Sequence, residues 1–224
     1  MKLLLISLTL LIIFSFGLFQ QQNPKQINYL PLGDSYTICT GASEKESWPF
    51  LLTNHLVENK IACKLLDNPA RNGFSTQDLI DQELPLLKKL KPNFVTLLIG
   101  VNDWVRGVPK ETFAKNLKFI LDEIQKNNSG KTKLIVITIP NFGVTPQGKN
   151  YGNGRNIGKG LLEFNTIVIN EAKKRNLPLV DIYPESEKMK DDLVLVAEDG
   201  LHPSAKEYAL WEQLILKEAL LLLK

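Results

Sequence analysis

Apolar and polar residues alternate along the chain in blocks whose period switches between strand and helix. Ile27 to Leu32 is a short apolar run that ends at Gly33 and predicts a first strand. Trp48 to Glu58 has helical spacing, with Phe50, Leu51, Leu52 and Leu56 on or near one face. Ile61 to Leu66 predicts a second strand. Ser75 opens a helical stretch, with Asp78 three residues on in a capping-box pattern. Phe94 to Ile99 is almost continuously apolar, as in a strand covered on both faces. Glu111 to Gln125 predicts a helix that buries Phe113, Leu117, Ile120, Leu121 and Ile124. Leu134 to Ile139 is a further buried strand, stopped by Pro140. Leu161 to Arg175 reads as a helix, Leu179 to Ile182 as a last strand, and Ala205 to Leu223 as a closing helix. On that closing helix, Tyr208, Trp211, Leu214 and Leu220 form an apolar face expected to join the core. Strand and helix thus alternate about five times. That order predicts an α/β fold with a mainly parallel, about five-stranded sheet carrying helices on both faces.

The first residues break this pattern. Lys2 is followed by a run from Leu3 to Phe14 interrupted only by Ser7 and Thr9. Ser15 and Gly17 offer small residues at the −3 and −1 positions of a cleavage site. Residues 1–19 are therefore expected to be a secretory signal, or an uncleaved anchor because the apolar run continues to Phe19. Either way the protein is expected to be exported, periplasmic or secreted, and the only membrane contact expected is through this segment. Residues 20–26 (QQQNPKQ) read as a polar linker, and residues 27–224 as the remaining domain.

Composition narrows the function. A formal net charge of +3 on 224 residues, with lysines spread along the chain, gives no stripe for nucleic acid. No HExxH pattern or cysteine cluster suggests a metal. The two cysteines, Cys39 and Cys63, are permitted a disulfide by export. Cys63 lies in an apolar strand-like run, where a free thiol is the commoner state. Gly152 to Gly158 resembles a dinucleotide loop only loosely, with the wrong spacing and no preceding first strand. The Gly- and Asn-rich stretch from Gly143 to Gly160 reads instead as a flexible lid.

In parallel α/β sheets, sites gather at the carboxyl ends of strands. Four polar, glycine-marked turns fall there: Gly33-Asp34-Ser35-Tyr36, Asn72-Gly73, Gly100-Val101-Asn102-Asp103 and Asp199-Gly200-Leu201-His202-Pro203. Asp199 precedes His202 by three residues, so its carboxylate can hold one ring nitrogen and leave the other as a base. Pro203 is expected at the first position of the closing helix. His55, the other histidine, reads as a surface or boundary residue. A serine hydroxyl needs a base to attack, and His202 is the candidate to activate Ser35. The amides of Ser35 and Gly73 and the side chain of Asn102 can supply oxyanion donors, worth about 3–4 kcal/mol each. Taken singly, these turns read more readily as caps or plain loops.

Together, the four blocks in this order resemble the SGNH/GDSL hydrolase family of esterases and lipases, from about Ile27 to Leu216. The resemblance implies a three-layer α/β/α sandwich with a flavodoxin-like sheet, no metal and no cofactor. It also implies a triad of Ser35, Asp199 and His202 with an oxyanion hole of Ser35, Gly73 and Asn102. Tyr36 departs from the family's common leucine and bears on substrate rather than chemistry. Ile139 to Pro146 is similar to a stretch of bacterial secreted members. The expected partner is a small-molecule ester, met by a monomer. The alternatives are a thioesterase, lysophospholipase or carbohydrate deacetylase on the same fold, or a binding protein that retains it.

Overall fold

The computed structural model describes residues 26–224, so the expectations for residues 1–19 and most of the linker lie outside the described residues. Five strands form one sheet: β1 (Ile27–Gly33), β2 (Cys63–Leu65), β3 (Phe94–Leu98), β4 (Lys133–Ile137) and β5 (Leu179–Val180). Their order is β2-β1-β3-β4-β5 and every pairing is parallel. This is the flavodoxin-like order, in which the chain changes direction across the sheet between β1 and β3.

The helices are α1 (Ser35–Ile38), α2 (Trp48–Glu58), α3 (Thr76–Gln82), α4 (Leu84–Leu90), α5 (Val101–Val105), α6 (Lys110–Lys126), α7 (Ile157–Lys174), α8 (Tyr183–Ser186) and α9 (Ala205–Leu223). Helices α2 and α9 pack together on one face of the sheet, while α3, α4, α6 and α7 pack side by side on the other. The sandwich is therefore three-layered, as the alternation predicts. Strand β3 is buried along its whole length. Helix α6 buries the five residues expected from its spacing, Phe113, Leu117, Ile120, Leu121 and Ile124. Each such side chain contributes about 1.5–3 kcal/mol by leaving water.

Several boundaries differ from the sequence expectation, each for a local reason. The stretch after Ser75 is two helices, because Pro85 near the start of α4 cannot donate into a continuing ladder. Ser75 does cap α3 in a capping box with Asp78. Pro203 is not the first residue of α9: Ser204 caps the helix, and Pro203 pairs with Val196 in an isolated antiparallel bridge. On α9 the buried face is Tyr208, Trp211, Ile215 and Ala219, whereas Leu214 is exposed. Cys39 is buried, Cys63 is half-buried, and both are free thiols. His55 sits at the boundary as expected, with Nδ1 3.0 Å from Glu212 Oε1 of α9.

Three acids are buried at the carboxyl end of β1 and β3. Glu83 Oε2 accepts from the Gly33 amide at 2.9 Å. Asp34 caps α1 by accepting from the Tyr36 amide at 3.0 Å. Asp103 accepts from the amide (2.8 Å) and hydroxyl (2.5 Å) of Thr76. Burial, with the Asp103 charge adding to it, pushes Asp34 from its ordinary value of 3.8 to about 8, against the pull of the Tyr36 amide. Between those values the folded chain holds a proton that the unfolded chain has released, so stability falls as pH rises through that window. Asp34→Asn keeps an acceptor for Tyr36 and does not titrate. Its melting temperature is expected to match the parent's near pH 4 and to exceed it by several degrees above pH 8, measured by calorimetry across pH. A constant difference at every pH would show that Asp34 does not titrate in that range.

Candidate active site

The site begins where β1 stops. Gly33 pairs with Leu98 in register, and a Cβ on Gly33 would lie 2.2 Å from the Leu98 carbonyl oxygen and 2.2 Å from Thr37 Oγ1. Only glycine fits this approach. The chain then turns through Asp34 into α1, so Ser35 is the first helical residue and its amide has no intrahelical acceptor. Its amide and its hydroxyl make no hydrogen bond within the described residues.

Helix α5 starts at the end of β3 and carries Asn102 and Asp103 in its first turn. Asn102 Nδ2 donates one proton to the Phe74 carbonyl at 2.9 Å, leaving its second N–H unused. Gly73 has φ +82°, a left-handed conformation that favours glycine. Its carbonyl accepts from Arg106 Nη2 at 2.6 Å, and Arg106 Nη1 also bonds Asp78 at 3.0 Å. The Gly73 amide has no acceptor within the described residues. Thr40 binds Asn72 through its hydroxyl and so draws this turn toward the end of α1.

His202 is held from both sides. Its carbonyl accepts from the Ala197 amide at 2.8 Å, within the bridge between Val196 and Pro203. Its Nδ1 lies 2.6 Å from Asp199 Oδ2, while Asp199 Oδ1 accepts from the amides of Leu201 and His202, both at 2.9 Å. Burial pushes the Asp199 carboxyl upward. The bonds from the His202 ring and the two amides, with the His202 charge, outweigh it and hold the group below the usual carboxylate range. The Tyr36 ring packs edge-on against His202 at 5.9 Å, and Trp48 Nε1 donates to the Tyr36 carbonyl at 2.8 Å.

Ser35, Asn102 and His202 line one cavity of about 80 Å³, together with Tyr36, Val101, Val105, Phe142, Tyr151 and Leu201. Asp199 stands behind His202. Gly73 does not line the cavity but adjoins it through the Phe74–Asn102 bond. The structure thus gathers the predicted residues at the carboxyl ends of β1 and β3, beside the switch in strand order. A hydroxyl, an imidazole paired with a carboxylate, and free N–H donors around an apolar pocket are the parts that acyl transfer needs.

The sequence reading missed some of what holds them. Asp103 binds Thr76 and so ties α5 to α3, and Arg106 clamps the Gly73 turn. Both act from α5, a helix too short to leave a periodic signal. The stretch read as a lid supplies one wall of the cavity through Tyr151. It is tied down where Arg155 donates to the carbonyls of Trp104 (2.7 Å) and Val105 (2.8 Å) and stacks 4.1 Å over the Trp104 ring. The amide of Gln147 also bonds the Gly200 carbonyl at 2.9 Å.

Residues 32–210 match the model of the GDSL-like Lipase/Acylhydrolase family. The chain is 25% identical over 196 residues to an arylesterase of Vibrio mimicus, covering 88% of each chain. It is 27% identical to thioesterase 1/protease 1/lysophospholipase L1 of Escherichia coli strain K12, covering 78% of this chain and 74% of that one. Its fold is similar to the crystal structure of a Clostridium thermocellum family 3 carbohydrate esterase, with a TM-score of 0.72 at 19% identity over 89% of this chain and 98% of that chain. The chain belongs to the GDSL-like lipase/acylhydrolase family and is a carboxylic ester hydrolase.

Proposed function

We propose that the domain spanning residues 27–224 hydrolyses esters of short acyl groups outside the cytoplasm, by a two-step mechanism at Ser35. The observation that carries this reading is the shared cavity of Ser35, Asn102 and His202, with His202 tied to Asp199 at 2.6 Å. The Ser35 hydroxyl attacks the ester carbonyl and gives its proton to His202 Nε2. Asp199 holds the ring with Nδ1–H inward and stabilises the imidazolium. The carbonyl oxygen becomes an oxyanion that takes hydrogen bonds from the amides of Ser35 and Gly73 and from the unused N–H of Asn102. Collapse breaks the ester C–O bond, and the leaving alcohol takes the proton from His202. Water then gives a proton to His202 and attacks the acyl-Ser35 carbonyl, and the Ser35 Oγ–C bond breaks as His202 returns that proton to Ser35, releasing the acid.

The size of the cavity supports the acyl preference. Pockets for drug-sized ligands run to about 300–1,000 Å³, several times the space here. Its walls, apart from the proposed catalytic groups, are largely apolar, and Tyr151 is one of them. Long acyl chains of the thioesterase or lysophospholipase kind fit poorly. The export assignment is supported by the apolar run from Leu3 to Phe19.

Three outcomes follow for purified enzyme. With p-nitrophenyl acetate, Ser35→Ala should be inactive, and a folded variant with parental activity would refute the nucleophile assignment. Asp199→Asn should lower kcat by roughly ten-thousandfold, because it leaves His202 in the wrong tautomer. A fall of twofold or less would mean that Asp199 does not orient the base. Across acetate, butyrate and octanoate, kcat/KM should drop by about tenfold or more at octanoate. Tyr151 is partly exposed, so Tyr151→Ala should leave the fold intact and narrow that gap. An unchanged ratio would place the acyl chain elsewhere.

A further inference from the structure

A second concavity, of about 300 Å³, lies at the opposite, amino-terminal edge of the sheet. Its walls are the residues that enter the strands: Ile27 of β1, Lys60 and Ile61 before β2, Asn93 before β3, and Lys131 and Lys133 at β4. Lysines dispersed in the sequence are brought together here because parallel strands all begin at one edge. Among the described residues, no Asp or Glu side chain lines the cleft. Lysine ion pairs among the described residues are made by Lys110, Lys126, Lys174, Lys188 and Lys206, so Lys60, Lys131 and Lys133 are left without one. Lys133 gives one of its three protons to the Leu222 carbonyl and keeps two. The floor is apolar, from Ile27, Ile61, Ala62 and Leu223.

The chain arrives at this same edge. Asn93 Nδ2 donates to the Gln26 carbonyl at 2.9 Å and the Ile27 amide bonds the Ala62 carbonyl at 2.7 Å, which fixes the entry point beside the cleft. The apolar run ends at Phe19, and residues 20–26 span at most about 25 Å when fully extended. With the run in a bilayer, a linker of that length permits the cleft to reach the headgroups. Lys25 adds a further charge to the approach. A tether of that length lets the cleft reach the surface, where its cations are attracted to an anionic leaflet once within about one Debye length, about 8–10 Å.

We infer that the lysine-lined cleft at the amino-terminal edge of the sheet is a membrane-docking surface that takes anionic phospholipid headgroups. The proposed active cavity lies at the other end of the same strands. Docking therefore leaves it open to the aqueous side, and hydrolysis of a soluble ester is unaffected.

The test reconstitutes the full chain on phosphatidylglycerol-rich vesicles and on phosphatidylcholine vesicles. Amine acetylation is then followed residue by residue by mass spectrometry. Lys60, Lys131 and Lys133 should react at least about fivefold more slowly on the anionic vesicles, while Lys149 and Lys159, near the proposed active end, should not change. A K60E/K131E/K133E variant should keep parental activity on p-nitrophenyl acetate. It should also partition at least tenfold less onto anionic vesicles, with no change on zwitterionic ones. Equal labelling on both lipids, or unchanged partitioning of the active variant, would overturn the inference. So would slowing by inorganic phosphate without vesicles, which would make the cleft a small-anion site only.

Discussion

The proposed site depends on the pairing of β1 with β3. The two strands run in register from Tyr29 opposite Phe94 to Gly33 opposite Leu98. Ser35 leaves one strand and Asn102 the other, so their separation is set by that register and by the absence of a side chain at Gly33. A slip of one residue would exchange the faces of a whole strand and carry Ser35 away from Asn102. The core resists such a slip. Tyr29 stacks on Phe94 at 4.9 Å, and its hydroxyl bonds Thr96 Oγ1 at 2.7 Å in the buried interior. The geometry of the proposed site and the packing of the core are thus one constraint, since the side chains that fix the register also place the proposed nucleophile.

Buried acids then fasten the turns to this frame, at a cost in desolvation. Glu83 holds the Gly33 amide, and Asp103 holds Thr76 at the start of α3. Burial pushes both carboxyls upward, with the Asp34 charge adding to the effect at Glu83, while the bonds they accept pull the other way. Asp34 Oδ2 and Glu83 Oε1 are buried without partners. A fold optimised for stability alone would not leave two such atoms beneath the turn that carries Ser35. Asp199 is treated differently. It is the most exposed of these acids, it is fully bonded on its working oxygens, and it is held in the ionised form that a histidine partner requires.

Much of this was legible in the chain. The long elements carry their periodicity openly, as in α6 and β3, because one face or both are buried against the sheet. The four polar turns were readable because parallel strands bring their carboxyl ends together, so residues far apart in sequence share one edge. The rest left no periodic trace. Helix α5 is too short for a helical pattern, so Asp103 and Arg106 were visible only as neighbours of Asn102. The wall provided by Tyr151 follows from tethers such as Arg155 over Trp104, a contact between segments that local spacing does not encode. The lysine cleft is likewise a product of topology, since Lys60, Lys131 and Lys133 meet only when β2 and β4 start at the same edge.

The proposed chemistry rests on Ser35 as a nucleophile activated by His202. The most direct measurement treats the parent and its His202→Ala variant with a fluorophosphonate and maps the adduct by peptide mass spectrometry. The expected result is one adduct per chain, on Ser35, formed rapidly in the parent and at least a hundredfold more slowly in the variant. An adduct on another residue, or equal labelling of Ser35 in both proteins, would contradict it.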